Sequence, residues 1–244
     1  MVESYIVTSD QQSAEDAAKF AKKHNLKLCK PEMQKDKINI EFIDKKLFVS
    51  FYENRQKLSF EIGFSDIKLQ ARSQKAKVKE TIIKAVGEIE PDYKLYDLTA
   101  GFAKDSFILA NYGYDVTLLE KHPIIYALTK YSIDQLAGSK LGERMKIINQ
   151  DSLEFLERIP KGKNVFYLDP MFVRTKKSKV KKEMQLLQKI NPPELNIELL
   201  LEKALDKGEK VILKRQITDP SLSNYTSHHI IKGSKIKFEI YTVK

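Results

Sequence analysis

From Lys94 onward the apolar residues fall into short runs separated by longer segments of helical spacing. This alternation constrains the fold more than any other feature of the chain. Residues 95–98, 116–120, 145–148, 164–168 and 210–213 read as strands, and 104–112, 123–136, 153–158 and 194–206 as helices, with a further basic helix ending near Ile190. Pro123 stands in the first turn of its helix, where a missing N–H costs nothing. Strands that alternate with helices pack as a parallel sheet covered on both faces. The final runs, 228–231 and 236–243, flank a turn at Lys232-Gly233-Ser234 and add an antiparallel strand. The expectation is an α/β fold.

The first 75 residues follow a different pattern and predict a small α+β domain. A strand at 5–8 precedes a helix at 13–24 with Ser13 as its N-cap. Strands at 38–43 and 47–52 form a hairpin around Asp44-Lys45-Lys46, and 58–62 adds a third strand. The polar stretch 70–77, rich in Lys, Gln and Arg, is the candidate boundary, and a helix at 78–86 leads into the second domain, 76–244.

Composition narrows the function classes. Hydrophobic residues make up 42% of the 244, enough for a sizeable core, and no run of about 18 apolar residues predicts a membrane span. The N-terminal residues lack the charged and apolar regions of a secretory leader. Cys29 stands alone, so neither a disulfide framework nor a cysteine zinc site is expected, and the cytoplasm is the simplest compartment. The net charge of +10 favours a polyanionic partner, nucleic acid first; a merely lysine-rich surface is the competing reading.

In an open α/β sheet, ligands bind beyond the carboxyl ends of the strands. After the first strand comes Asp97-Leu98-Thr99-Ala100-Gly101-Phe102-Ala103-Lys104-Asp105, a small-residue turn opening a helix whose N–H groups can face a ligand. It has one glycine where a dinucleotide fingerprint has three, and a plain tight turn is the alternative. Glu120, at the end of the second strand, is placed to accept from both hydroxyls of a ribose. Gln150-Asp151-Ser152 follows the third strand and can hold an adenine amine or cap the next helix. After the fourth comes Asp169-Pro170-Met171-Phe172, similar to the Asp/Asn-Pro-Pro-Tyr/Phe signature of methyltransferases acting on exocyclic amines. Such an amine is a poor nucleophile because its lone pair is delocalised into the base. The Asp169 carboxylate and the Pro170 carbonyl can hold its two N–H groups and turn the lone pair towards an electrophile, while Phe172 stacks on the base. Arg174, Lys176, Lys177, Lys179, Lys181 and Lys182 follow within nine residues and form a candidate phosphate-contacting patch, extended by Lys214 and Arg215. No Gly-x-Ser-x-Gly elbow is present, and His122, His228 and His229 have no metal-ligand spacing.

Three blocks carry a resemblance that covers nearly the whole chain. They are YDLTAGFAKDSFILANYGYDVTLLEKHPIIYAL; YLDPMF followed by KKSKVKKEM; and VILKRQ with the late KGSKIKFEIY. In order and spacing they resemble the ribosomal RNA small-subunit methyltransferase J family, bacterial guanine-N2 methyltransferases of 16S rRNA. The resemblance implies a Rossmann-like class I methyltransferase sheet of seven strands, the last antiparallel, with a small N-terminal α+β domain. It implies S-adenosyl-L-methionine as cofactor and 16S rRNA or the small ribosomal subunit as partner, with no metal and no membrane. Its cofactor positions fall on Lys104, Asp105, Glu120, Lys121, Asp151, Ser152 and Asp169, to which strand-end position adds Asp97 and Gly101. The family loop usually reads Ala-Gly-Leu-Gly-Arg-Asp, against Ala-Gly-Phe-Ala-Lys-Asp at 100–105, and Val173 replaces a proline. Three other readings stand beside this one: a methyltransferase for adenine N6, a nicotinamide-dependent oxidoreductase, and a non-catalytic RNA-binding assembly factor.

Overall fold

The computed structural model describes residues 5–30, 36–75, 80–170, 181–190, 196–220, 222 and 224–243. The chain forms two compact units, one of residues 1–63 with 174–192, the other of 64–173 with 193–244.

The first unit contains β1 (Tyr5–Ser9), α1 (Ala14–Lys23), β2 (Lys27–Leu28), β3 (Ile38–Ile43), β4 (Lys46–Glu53) and β5 (Gln56–Ile62). Its sheet runs β2-β1-β3-β4-β5, parallel across the first three strands and antiparallel across the last three. Two tight turns set the antiparallel register. Asp44 (φ 50°) and Lys45 (φ 59°) join β3 to β4, and Asn54 (φ 49°) and Arg55 (φ 63°) join β4 to β5. Two successive left-handed residues match the right-handed twist of the flanking strands. Helix α1 buries Ala17, Phe20 and Ala21, with the Phe20 ring 5.5 Å from that of Phe42. Ser13 stands at the N-terminus of α1 as expected, but its Oγ does not cap the helix. It accepts instead from the backbone N–H of Lys45 at 3.0 Å, pinning the β3–β4 turn.

The second unit contains α2 (Ile67–Lys75), α3 (Thr81–Val86), β6 (Lys94–Asp97), α4 (Lys104–Tyr112), β7 (Val116–Leu119), α5 (Pro123–Asp134), α6 (Lys140–Glu143), β8 (Met145–Ile148), α7 (Ser152–Arg158) and β9 (Asn164–Leu168). Helix α8 (Lys182–Ile190) packs back in the first unit, where Lys182 Nζ donates to the Ser59 carbonyl at 2.9 Å. Then come α9 (Ile197–Lys207), β10 (Lys210–Gln216), β11 (His229–Lys232) and β12 (Ile236–Thr242). The sheet order is β11-β12-β10-β9-β6-β7-β8. Strands β8, β7, β6, β9 and β10 are parallel, and β12 runs antiparallel to both its neighbours. This is the α/β sheet that the alternation predicts, with seven strands and the last antiparallel.

The parallel strands are apolar on both faces because helices cover both. In β9, Val165 and Tyr167 join a core with Phe107, Ile108 and Phe238, while Phe166 and Leu168 join a second core with Leu156, Leu200 and Tyr241. The side-chain period of two sends each run into both layers at once. The stretch 70–77, expected to be a boundary, is helical as far as Lys75. Just ahead of α2, Phe64 stacks on Phe107 of α4 with centroids 4.6 Å apart, and Leu69 of α2 is buried. No helix among the described residues is long and apolar enough to cross a membrane.

Candidate active site

Sequence order reverses between β6 and β9, so the sheet opens a crevice beyond their carboxyl ends. The segment after β6 is stitched to each neighbouring strand end there. Leu98 N–H donates to the Tyr167 carbonyl (2.9 Å) and Ala100 N–H to the Leu119 carbonyl (3.1 Å), while Ser152 Oγ donates to the Leu98 carbonyl. Gly101 (φ 51°) and Ala103 (φ 56°) give the turn its curvature before α4 begins. Ala103, left-handed and buried, occupies the position of the second glycine in the family pattern, so the chain keeps that backbone shape at the strain cost of a Cβ.

Glu120 lies just beyond β7 and is 7% exposed. One carboxylate oxygen accepts from Gly101 N–H at 3.0 Å and the other from His122 N–H at 2.7 Å. Burial holds its carboxyl above the usual range, opposed by those two donors. Lys121 beside it is exposed, and Asn149 Nδ2 donates to the carbonyls of both Glu120 and Lys121. Asp151 caps α7, its Oδ1 accepting from Leu153 N–H at 2.8 Å, and Ser152 is buried. Lys104 is half-buried at the first position of α4.

An ionised cluster occupies the ends of β6, β9 and β10. Lys214 Nζ donates to Asp105 Oδ2 and, at 2.7 Å, to Asp169 Oδ2. Asp105 Oδ2 also accepts from the Tyr167 hydroxyl at 2.7 Å, and Arg72 Nη2 lies 3.8 Å from its Oδ1. Arg72 is held in turn by Glu80, with both carboxylate oxygens within 3.3 Å of its guanidinium. Burial opposes charge on Asp105, but the Lys214 ammonium outweighs it and holds the carboxyl below the usual range. Burial works against the Lys214 charge too, yet the two carboxylates hold its pKa well above the ordinary lysine value. Asp97 is 2% exposed and accepts from Ser106 Oγ and Thr99 N–H; burial, aided by the charges of Asp105 and Asp169, pushes its carboxyl up to about 7.

Asp169 is the most exposed carboxylate of the cluster, with a side chain 39% exposed. Its backbone N–H donates to Thr99 Oγ1 at 2.6 Å, which fixes the strand end against the loop, and Pro170 after it is buried. Desolvation and the neighbouring Asp105 hold the Asp169 carboxyl above the usual range, against the pull of Lys214.

Asp97, Gly101, Asp105, Glu120, Asp151, Ser152 and Asp169 therefore share one end of the sheet. Two of the expected phosphate contacts have acidic partners within the fold. The Lys214 ammonium is spent between two carboxylates, and Arg215 is 6% exposed with its guanidinium 3.4 Å from Glu239. Both lie on β10, whose alternation sends one side chain into the crevice and the next into the sheet's interior face. Lys181 and Lys182 are exposed, whereas Phe172, Arg174, Lys176, Lys177 and Lys179 lie outside the described residues. Arg72, Thr99 and Tyr167 were not foreseen. Thr99 and Tyr167 follow from the strand-end rule applied to every polar side chain, but Arg72 reaches the site from α2 and had no local signal.

Residues 19–243 match the family described as "Putative SAM-dependent methyltransferase". The chain is 38% identical over 171 residues to ribosomal RNA small subunit methyltransferase J of Shigella boydii, covering 66% of this chain and 68% of that one. The protein of the same name from Salmonella typhi gives the same identity and coverage. Among solved structures, a SAM-dependent methyltransferase from Neisseria gonorrhoeae superposes with a TM-score of 0.70 over 97% of this chain and 95% of that one, at 19% identity.

Proposed function

Because the chain belongs to the ribosomal RNA small subunit methyltransferase J family of S-adenosylmethionine-dependent methyltransferases, we propose that it methylates the exocyclic N2 amine of a guanine in 16S rRNA. The observation that carries the reading is Asp169: an exposed carboxylate at the switch point of the sheet, held by its own backbone N–H and by one of its two oxygens.

The crevice fits the cofactor. A carboxylate has about four acceptor sites, so Glu120 keeps capacity for ribose hydroxyls beyond its two backbone bonds. Gly101, Lys104, Lys121, Asp151 and Ser152 would complete the cradle, with Asp97 shaping the loop from beneath. Since the Asp105 carboxylate is taken by Lys214 and Tyr167, its part is to hold the cluster together. When bound, S-adenosylmethionine supplies an electrophilic methyl group on a sulfonium.

The chain's own residues then have a positioning task. Asp169 Oδ1 and the Pro170 carbonyl each accept one N–H of the amine, so the nitrogen lone pair is aimed at the methyl group rather than left delocalised into the base. Phe172 stacks on the guanine. The amine loses its proton after transfer, when it has become acidic, so no dedicated base is assigned. The basic residues Arg174, Lys176, Lys177, Lys179, Lys181 and Lys182 contact RNA phosphates, and the site of action is the cytoplasmic ribosome.

Replacing Asp169 tests the clamp directly. Asp169→Ala is expected to lower kcat on small subunits lacking the modification by about a hundredfold or more, the range for losing one preorganised hydrogen-bonding group. Undiminished transfer would remove Asp169 from the reaction.

A further inference from the structure

We propose that Lys214 is a positioning residue for methyl transfer: anchored on Asp105, its ammonium grips Asp169 by Oδ2 and so presents Oδ1 to the incoming amine. This rests on the reading of Asp169 as the amine clamp.

The geometry makes Lys214 a rigid strut. Its side chain is 19% exposed on β10, the strand beside β9, and reaches Asp169 Oδ2 at 2.7 Å. The opposite partner, Asp105, cannot swing, because its Oδ2 also takes the Tyr167 hydroxyl and its Oδ1 faces Arg72. The ammonium is therefore fixed between two carboxylates that enter from α4 and from the end of β9. Among the described residues nothing donates to Asp169 Oδ1. The cation thus fills one oxygen of the clamp and leaves the other for substrate.

The same strut fixes the charge state of the clamp. The groups that face Asp169 are Lys214 from β10, Asp105 from α4, Tyr167 from β9 and the buried Asp97 from β6, with Arg72 from α2 acting through Asp105. Without the ammonium, the Asp169 carboxyl keeps the desolvation and the Asp105 charge that raise it and loses the cation that pulls it down, so it takes up a proton at a higher pH. A protonated Asp169 offers a donor where the amine needs an acceptor. An opposite charge at this range lowers a carboxyl pKa by about 1–3 units.

The test is kcat against pH at saturating RNA and cofactor, with thermal melting to show that each variant is folded. Lys214→Met is expected to move the acid limb of kcat upward by about one pH unit or more and to cost about tenfold near neutral pH, the loss shrinking as the pH rises. Lys214→Arg keeps the charge and returns the limb towards wild type. Should Lys214→Met not fold, the double variant Asp105→Asn/Lys214→Gln removes one charge of each sign and is expected to show a smaller upward displacement of the limb, because the Asp105 charge that raises the Asp169 carboxyl is lost with the ammonium that lowers it. A wild-type limb and kcat in the neutral variant, with Asp169→Ala inactive, would overturn the proposal while leaving the clamp intact. A raised KM for RNA with kcat untouched would return Lys214 to a phosphate-contacting role. Full activity of Asp169→Ala would instead remove the clamp, and this proposal with it.

Discussion

Asp97 connects the chemistry of one residue to the stability of the whole unit. Its carboxyl is buried beneath the loop after β6 and is pushed up to about 7. Between the ordinary aspartate value and about 7, the folded protein holds a proton that the unfolded chain has released. Stability therefore falls as the pH rises through that window, by up to about 1.4 kcal/mol per pH unit, and this contribution levels off above it. Urea unfolding from pH 4 to 8 should show the slope in the wild type and lose it in Asp97→Asn; parallel profiles would contradict the burial of this acid. The placement of Asp97, Glu120, Asp151 and Asp169 was legible because each ends a strand or opens the next helix, a local property. The partner of Lys214 was not. Its carboxylates lie 109 and 45 residues away, and only the assembled sheet shows that this lysine faces acids rather than RNA. The burial of Arg215 was not legible for a related reason: in β10 the buried face takes a guanidinium because Glu239 of β12 is there to meet it.

At the scale of elements, the junction of α9 with β10 shows how tightly the crevice strands are held. A Cβ on Gly208 would come within 2.5 Å of the Phe166 ring and 2.6 Å of the Asn164 carbonyl. Gly208→Ala must push the start of β9 away, and overpacking of this kind costs about 1–3 kcal/mol. Thermal melting measures it, and an unchanged midpoint would mean that the contact is looser than it stands here. The strands and helices of the second unit were legible within a few residues because their runs are long and periodic. Helix α2 was missed because its Lys, Gln and Arg read as a solvated linker, although those residues favour helix as much as they favour water. The two residues of β2 and the four of α6 carry too little periodicity to announce themselves. The N-terminal sheet was legible as a meander from β3 to β5, where short turns dictate pairing. The parallel contacts of β1 with β2 and β3 join residues 21 to 33 positions apart and leave no local mark.

For the whole molecule, the net charge of +10 and the family to which the chain belongs point to the same polyanion by independent routes. Binding through phosphates predicts that affinity for small-subunit RNA falls steeply with salt, as each contact releases counterions. The α/β class was legible because alternating strands and helices admit few other arrangements, whereas the target base is not written in periodicity at all. Under the proposed reading, the amine of that base is held by Asp169 and Pro170, at the end of β9 beside the switch point. The most direct measurement is nucleoside analysis of rRNA after incubating the protein with labelled S-adenosylmethionine and small subunits lacking the modification. Label confined to N2-methylguanosine in the wild type, and absent with Asp169→Ala, is the predicted result; label in methyladenosine, or in no nucleoside, would contradict it.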